Sequence, residues 1–404
     1  MAHILLGVTG SIAAYKAPLI VRALHKRGHE VTVILTRAAQ EFVSPLVLEV
    51  LTRRPVLADL WSTRGTGSSP GEWTQHIALA KNSDALVIAP ATAHVIGKLA
   101  HGLCDDLLSA VFLATRKPVL IAPAMETDMY RHSLLQANLR RLVKLPWVSI
   151  IPPGKGFLAS GMYGTGRLAS LRRLILSVER AISPRLLAGK KVLITLGATR
   201  ERWDAVRFLS NYSTGRMGLA LAEAAYTLGA DEIHILAAHT DVPLPKGIFH
   251  VTSTPSAQEM LAAFQSIYQR YDWLIFAAAV SDYTFPETSP HKHKKSDQPL
   301  SLSLVPAPDI LSWAGNHHLP HQLIIGFALE GVGEGHLAAD KLHRKRAHWL
   351  AFNEISPQTG MGTETNAITL LSRWGHHHTI PLAHKSEVAR EMLTFIARES
   401  GTHF

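Results

Sequence analysis

The chain has a single cysteine in 404 residues, Cys104, so no intramolecular disulfide can staple it and its fold must rest on packed cores. Long apolar runs are missing as well. Those at 3–8, 85–91 and 118–122 are bounded by glycine, proline or charge and fall far short of the roughly 20 residues that cross a bilayer, so no membrane span is predicted. No N-terminal stretch has the charge, length and small-residue pattern of a signal peptide, and with the lone thiol this predicts a reducing, cytoplasmic setting. Among 23 histidines, no pair falls in a recognisable metal-ligand frame; the run His376–His378 reads as a solvated hairpin turn. Zinc-finger and RNA-recognition signatures are absent too, and no basic helical stripe accompanies the cations, which argues against a nucleic-acid partner.

What is present bounds the answer from the other side. A chain of this length with 47% hydrophobic residues exceeds what one core can organise, so two domains are expected. The formal charge of +10 suits anionic partners. Because the basic residues are scattered, apart from Lys292, Lys294, Lys295 and the stretch Lys341–Arg346, phosphates of small molecules fit better than a polyanion.

Short apolar runs alternate with helical patterns along the N-terminal half: AHILLGV, a helix from Ser11, EVTVILT, ALVIAPA with a helix through Leu108, and PVLIAPAM. After a helix ending near Ile182, SPRLLAGKK marks a boundary at 184–189, and KKVLITLGA restarts the rhythm. EIHILAAH, WLIFAAAV, QLIIGFALE, HWLAFNEI, NAITLLSRW, TIPLAH and a helix from Lys385 complete it. The expected fold class is α/β, with two doubly wound, mainly parallel-sheet domains of Rossmann-like or flavodoxin-like type, spanning 1–185 and 186–404. Ligands of such folds sit at the carboxyl ends of the strands.

The first apolar run opens into GVTGSIAAYK at 7–16, where Gly7 and Gly10 permit close backbone approach and Thr9 and Ser11 bring hydroxyls to a helix start. Such a turn cradles an anion or simply caps a helix, and the residues alone leave both readings open. Thr36 and Thr92 add hydroxyls at two further strand ends. Together with His76 in QHIAL, APATA from Ala89 and PAMETDM at 123–129, this half resembles the flavin-containing cysteine decarboxylase family over about residues 1–180. The resemblance implies that Gly10, Ser11, Thr36 and Thr92 hold FMN and that His76 is the catalytic histidine. It also implies a trimer that completes the flavin site between subunits. Glu126 stands where the family has an asparagine that grasps the substrate carboxylate, and an ionised Glu126 would repel that group. Ser160, in ASGMYGTGR, stands where the family's flap carries a proton-donating cysteine, and a hydroxyl is a far weaker acid than a thiol. His94 replaces a common asparagine. A working decarboxylase, a flavoprotein stalled after oxidation and a degenerate scaffold all stay open for this half.

In the second half, KKVLITLGATRERWDAVRFLSNYSTGRMG again takes a strand end through a polar loop to Ser213, Thr214 and Gly215 at a helix start, as cradle or as cap. With FAAAVSDY at 276–283, KHKK at 292–295, PDIL at 308–311 and GFALE at 326–330, it resembles phosphopantothenate–cysteine ligase. The implied reaction activates the carboxylate of 4'-phosphopantothenate with CTP and Mg2+, and the amine of cysteine then attacks the acyl-cytidylate. Lys292 and Asn211 fall on the catalytic positions, and the CTP contacts on Asp282, Lys292, Pro308, Asp309, Ile310, Leu311, Phe327, Lys341 and Lys345. Metal ligands are left unassigned, and this part is expected to dimerise. Pro306–Ala307 before PDIL and Phe352–Asn353–Glu354 depart from the family's pattern. The leading expectation is an enzyme of coenzyme A synthesis; a flavin-binding regulatory scaffold is the alternative.

Overall fold

Leu5 and Leu6 face opposite sides of the first strand, and the two sides of the sheet it belongs to carry separate cores: Ile4, Leu6 and Val8 join one, Leu5 the other. A strand covered on both faces needs such a near-continuous apolar run, and EVTVIL and ALVIAPA repeat the pattern. The computed structural model describes residues 1–60, 74–245, 247–295, 297–331 and 336–400. They form two compact units, Met1–Ser183 and Pro184–Phe404.

Unit 1 comprises β1 (His3–Val8), α1 (Ala17–Lys26), β2 (Glu30–Leu35), α2 (Pro45–Thr52), α3 (Gln75–Asn82), β3 (Ala85–Ala91), α4 (Ala93–His101), α5 (Leu107–Ala114), β4 (Val119–Pro123), α6 (Thr127–Arg131), α7 (Ser133–Leu142), β5 (Val148–Ile150), β6 (Gly154–Phe157), β7 (Tyr163–Arg167) and α8 (Leu171–Ile182). Its sheet runs β2-β1-β3-β4-β5, parallel throughout. The order is doubly wound and flavodoxin-like, with the direction of winding reversing between β1 and β3. α1 buries Ala17, Ile20, Val21 and Leu24, the spacing of one helical face. β6 and β7 form an antiparallel hairpin outside the sheet.

Two expectations need correction here. The helix foreseen from Ser11 begins as a 3-10 turn, Ile12–Lys16, before α1. The single helix foreseen through Leu108 is two, because Gly102 ends α4 in left-handed backbone and Asp106 restarts α5 with a capping box to Ser109. Lys98, nearly buried, is paired with Asp105 and Asp106 across that break.

Unit 2 comprises β8 (Lys191–Leu196), β9 (Arg200–Arg202), β10 (Phe208–Ser210), α9 (Arg216–Thr227), β11 (Glu232–Ala237), β12 (His250–Ser253), α10 (Ala257–Ile267), β13 (Trp273–Phe276), β14 (Tyr283–Thr284), β15 (Val305–Pro306), α11 (Ile310–His317), β16 (Leu323–Glu330), α12 (His336–Arg344), β17 (Trp349–Glu354), β18 (Thr365–Ser372), β19 (His377–His384) and α13 (Lys385–Ser400). The order β12-β11-β8-β13-β16-β17-β18-β19 is parallel up to β17 and antiparallel after it. Winding reverses between β8 and β13. The histidine run is not the turn that was expected: His377 and His378 begin β19, where His378 stacks on Phe395 of α13 at 4.3 Å and lies 2.9 Å from Glu391. Among the described residues no helix is long and apolar enough to cross a membrane.

Candidate functional site

In unit 1, Ser11, Thr36 and Thr92 follow the carboxyl ends of β1, β2 and β3, three adjacent strands, and so share one edge of the sheet. The Ser11 hydroxyl accepts from the Ala13 amide at 3.3 Å and that of Thr92 from the Val95 amide at 3.4 Å. Each therefore keeps its own proton to donate to a ligand oxygen. The Thr36 hydroxyl donates to the Val8 carbonyl over 3.4 Å, a weak bond that a ligand could replace. Gly10 fits because a Cβ there would run into Ala38. Thr9, one of the hydroxyls expected in the cradle, is instead wholly buried. Its hydroxyl donates to the Pro90 carbonyl at 2.8 Å and accepts from the Thr92 amide at 3.0 Å, fastening the loop after β1 to the loop after β3.

Two cations at this edge escaped the sequence reading. Burial, and then the guanidinium of Arg167 on β7, lower the affinity of Lys16 for its proton. Lys16 ends the 3-10 turn that Ser11 caps, and two like charges held near one another suit an anion such as a phosphate ester. Spacing alone could not have shown this, since Arg167 enters from a hairpin some 150 residues away.

Glu126 and Ser160, 34 residues apart, are brought together: the Ser160 amide donates to Glu126 Oε1 at 3.4 Å. Two glycines of β7 make this closeness possible, for a Cβ at Gly164 would strike Thr127 and one at Gly166 the Met125 carbonyl. The Met125 amide in turn donates to the Gly166 carbonyl at 3.0 Å. The β6–β7 tip thus latches onto the start of α6. His76 lies in the first turn of α3, half-buried, and its ring makes no hydrogen bond within the described residues. His94 opens α4 beside the Thr92 cap.

In unit 2 the loop after β8 and the start of α9 carry the second cradle. Gly197 (φ +90°) and Gly215 (φ +76°) both take left-handed backbone, and a Cβ on either would collide, with His239 and Thr240 respectively. Gly215 itself, and not Ser213, is the N-cap of α9. Asn211 Nδ2 donates to the Ala279 carbonyl at 3.1 Å, which ties SNYSTG to the loop that leads to Asp282. The Asp282 carbonyl then accepts from the Ala307 amide at 2.8 Å, joining that loop to PDIL.

The segment with Lys292 is held by a cluster the sequence reading missed. Asp204, in the β9–β10 turn, accepts from the amides of Val206 and Arg207 at 2.7 Å each and from the His293 amide at 3.1 Å; Arg207 Nη2 lies 2.5 Å from its Oδ2. Arg207 also donates to the His293 carbonyl at 2.7 Å, and Trp203 stacks on His293 at 4.9 Å. Burial alone would raise the Asp204 carboxyl, but Arg207 and the three amides outweigh it and hold the group well below the usual carboxylate range. Lys292 itself stays exposed. One short hairpin therefore delivers Asn211 at its exit and grips the segment bearing Lys292.

The expected nucleotide contacts separate into groups. Asp309 caps α11, accepting from the Ser312 amide at 2.9 Å, and is paired with Lys345, which reaches it from the far end of α12. Burial lowers the Lys345 ammonium's proton affinity and the charge of Asp282 partly restores it. Lys341 pairs with Glu330 at 3.2 Å, at the end of the strand that carries half-buried Phe327. Ile310 is a correction: its side chain is core, only 3% exposed, so solely its backbone is available to a ligand. Leu311 likewise packs over Gly326, and Pro308 is half-buried. Among the described residues no group of three or more His, Cys, Asp or Glu could hold a metal ion. Asp309 is engaged by Ser312 and Lys345, which leaves the exposed Asp282 as the available carboxylate of this group.

A doubly wound sheet whose carboxyl edge offers hydroxyls and cations, joined to a second with a glycine cradle and exposed lysines, defines a two-domain enzyme of flavoprotein and phosphate-ester type. Residues 1–183 match the family described as Flavoprotein, and residues 187–399 match the DNA/pantothenate metabolism flavoprotein C-terminal domain. The coenzyme A biosynthesis bifunctional protein CoaBC of Bacillus subtilis is 38% identical over 399 residues, 98% of this chain and 96% of its own. That of Vibrio cholerae is 37% identical over 396 residues, 97% of each. A cysteine/cysteine sulfinic acid decarboxylase of an unknown prokaryotic organism is 39% identical over 357 residues, 87% of this chain and 98% of its own. A crystal structure of the C-terminal domain of a CoaBC protein has 34% identity, covers 54% of this chain and 99% of its own, and superposes with a TM-score of 0.46. The chain belongs to the CoaBC family of bifunctional coenzyme A biosynthesis proteins. It is an enzyme with a flavoprotein decarboxylase half and a ligase half.

Proposed function

We propose that unit 2 joins 4'-phosphopantothenate to cysteine with CTP, and that unit 1 decarboxylates the product to 4'-phosphopantetheine with FMN. The β9–β10 hairpin carries this reading, because it supplies Asn211 and steadies the segment of Lys292. The substrate carboxylate attacks the α-phosphorus of CTP and the bond to pyrophosphate breaks, leaving an acyl-cytidylate. Negative charge accumulates where the two anions meet, and the exposed Lys292 ammonium neutralises it. Mg2+, which the exposed Asp282 carboxylate would help to hold, would add to that neutralisation. Asn211 keeps one amide proton beyond its bond to Ala279, and that proton steadies the acyl carbonyl while the cysteine amine displaces CMP. Lys345, Phe327, Pro308 and the amides of Asp309, Ile310 and Leu311 surround the nucleotide, with Lys341 held near by Glu330.

In unit 1, the hydroxyls of Ser11, Thr36 and Thr92 and the turn at Gly10 hold the FMN phosphate with Lys16 and Arg167. FMN, when bound, would take two electrons from the substrate thiol, which lets the carboxylate leave as CO2, and would return them to the resulting enethiol to give 4'-phosphopantetheine. His76 would serve that chemistry as a proton carrier. The amide of Ser160 offsets part of the Glu126 charge, and the Ser160 hydroxyl, whose oxygen already accepts from Met162 at 3.3 Å, can donate its proton. The same reading takes the protein as a homo-oligomer in the cytoplasm, with a trimeric unit 1 and a dimeric unit 2.

A second reading of unit 1 is favoured by Glu126: its carboxylate suits a substrate with an ammonium group, and the relative named for cysteine and cysteine sulfinic acid offers such a substrate, free cysteine. Incubating the protein with 4'-phosphopantothenate, cysteine, CTP and Mg2+ and following products by mass spectrometry separates the cases. 4'-Phosphopantetheine is the expected end product. Accumulated phosphopantothenoylcysteine would confine activity to unit 2, and cysteamine would assign unit 1 to free cysteine. In the same assay Lys292→Gln is expected to abolish ligation nearly completely without lowering the melting temperature; unchanged turnover would remove this lysine from the mechanism.

A further inference from the structure

At the edge of unit 2 opposite the carboxyl ends of its strands, a cavity of about 430 Å³ opens where the last turns of α11 and α12 meet the turn between β18 and β19. His318, His343, Arg346 and Arg373 line it, and no aspartate or glutamate does. Among the described residues neither arginine is paired with a carboxylate. Cations commonly gather at helix carboxyl ends, which accounts for His343. Arg346 is different. It stops α12 in a Schellman arrangement, with the Ala347 amide donating to the Leu342 carbonyl at 3.2 Å and the Arg346 amide to that of His343 at 3.1 Å. This stop requires left-handed backbone, where glycine is free of strain and a side chain is not, yet Arg346 occupies it at φ +52°. Arg373 comes from a separate element and is seated by its amide, which donates to the His348 carbonyl at 3.0 Å. His318 Nδ1 bonds the Gly315 carbonyl at 3.0 Å, which fixes its ring at the edge of the cavity. Behind the cavity the buried His348 imidazole is pushed down to about 4, by burial first and then by His318 and Arg373, so the local field is positive.

We propose that this cavity is a second anion site of unit 2, separate from the glycine cradle after β8 and from the proposed nucleotide contacts, and that it takes a small phosphorylated molecule gripped by Arg346 and Arg373. Guanidinium groups match phosphate oxygens two at a time, and a concave site of this volume suits a compact ligand better than a polymer. The strained backbone of Arg346 makes sense on this view, since glycine would ease the turn but lose half of the grip.

The test is calorimetric titration of the full chain with inorganic pyrophosphate, repeated on Arg346→Gly and Arg373→Gln. Arg346→Gly should melt no earlier than the parent, because it relieves the left-handed strain, so a loss of binding in it cannot be put down to unfolding. The parent is expected to show a binding event that each variant weakens about tenfold or more, the scale of one charge-assisted hydrogen bond. Binding that survives in both variants belongs to the other cradles. Identical titrations of parent and variants would overturn the proposal. So would an event that sulfate reproduces equally and moderate salt removes, for that would be an ion cloud and not a phosphate site.

Discussion

Glu126 concentrates the open chemistry of unit 1 in one carboxylate. It caps α6 without bonding that helix's amides and takes the Ser160 amide instead, so its charge faces the latch of the hairpin. If the substrate's own carboxylate must lie there, Glu126→Asn removes a like-charge repulsion while keeping an acceptor for Ser160. The expected outcome is several-fold faster decarboxylation of phosphopantothenoylcysteine, about a factor of ten for each 1.4 kcal/mol of repulsion relieved. Unchanged turnover in a stopped carbon dioxide assay would show that the substrate carboxylate is held elsewhere. Ile310 carries a different lesson at this scale. A motif position can be functional through its backbone alone, its side chain serving the core.

At the scale of elements, the proposed ligation rests on the β9–β10 hairpin, and Asp204 is the residue that holds the Lys292 segment to it. Its carboxyl is held far below the ordinary range, so the folded state binds its proton less tightly than the unfolded chain does. The stability it contributes is therefore complete above the unfolded carboxylate range, near pH 4, and fades only in stronger acid. Asp204→Asn breaks the ion pair with Arg207 and loosens the bond to His293. It is expected to lower kcat for ligation while leaving CTP's KM nearly unchanged, since Lys292 then samples more positions. A kcat equal to the parent's would show that the segment is held well enough by the Trp203–His293 stack. None of this is visible in the spacing, because Asp204 and His293 are 89 residues apart and meet only through the loop's return.

The whole of unit 2 bears on Lys385, buried where α13 begins, with its ammonium donating to the carbonyls of Gly360 and Thr363 at 2.9 and 2.7 Å. Burial, with Arg216 adding to it, pushes its pKa down to about 8 from the 10.5 of an unburied lysine. Both states are protonated below pH 8 and the buried charge then costs stability in full. Between about 8 and 10.5 the folded state gives up its proton first, so this lysine's contribution rises with pH. Melting curves taken near pH 7 and about pH 9.5 should therefore show a relative gain at the higher pH that Lys385→Met lacks. A parallel pH response in the two proteins would mean that the ammonium keeps its proton.

The α/β rhythm, the parallel strands and the closing β18–β19 hairpin were legible because each rests on local pattern: fully apolar runs for strands covered on both faces, helical spacing between them, glycine and proline at the breaks. The hydroxyls at 11, 36 and 92 were legible for the same reason, each following a strand end. Tertiary structure alone decided which of these groups are spoken for. It buried Thr9 in a loop-to-loop bond, drew Arg167 toward Lys16, seated Ser160 on Glu126 and made Asp204 the anchor of Lys292. Such pairings depend on where distant segments return in space, and a hydrogen bond over 3 Å leaves no periodicity along the chain.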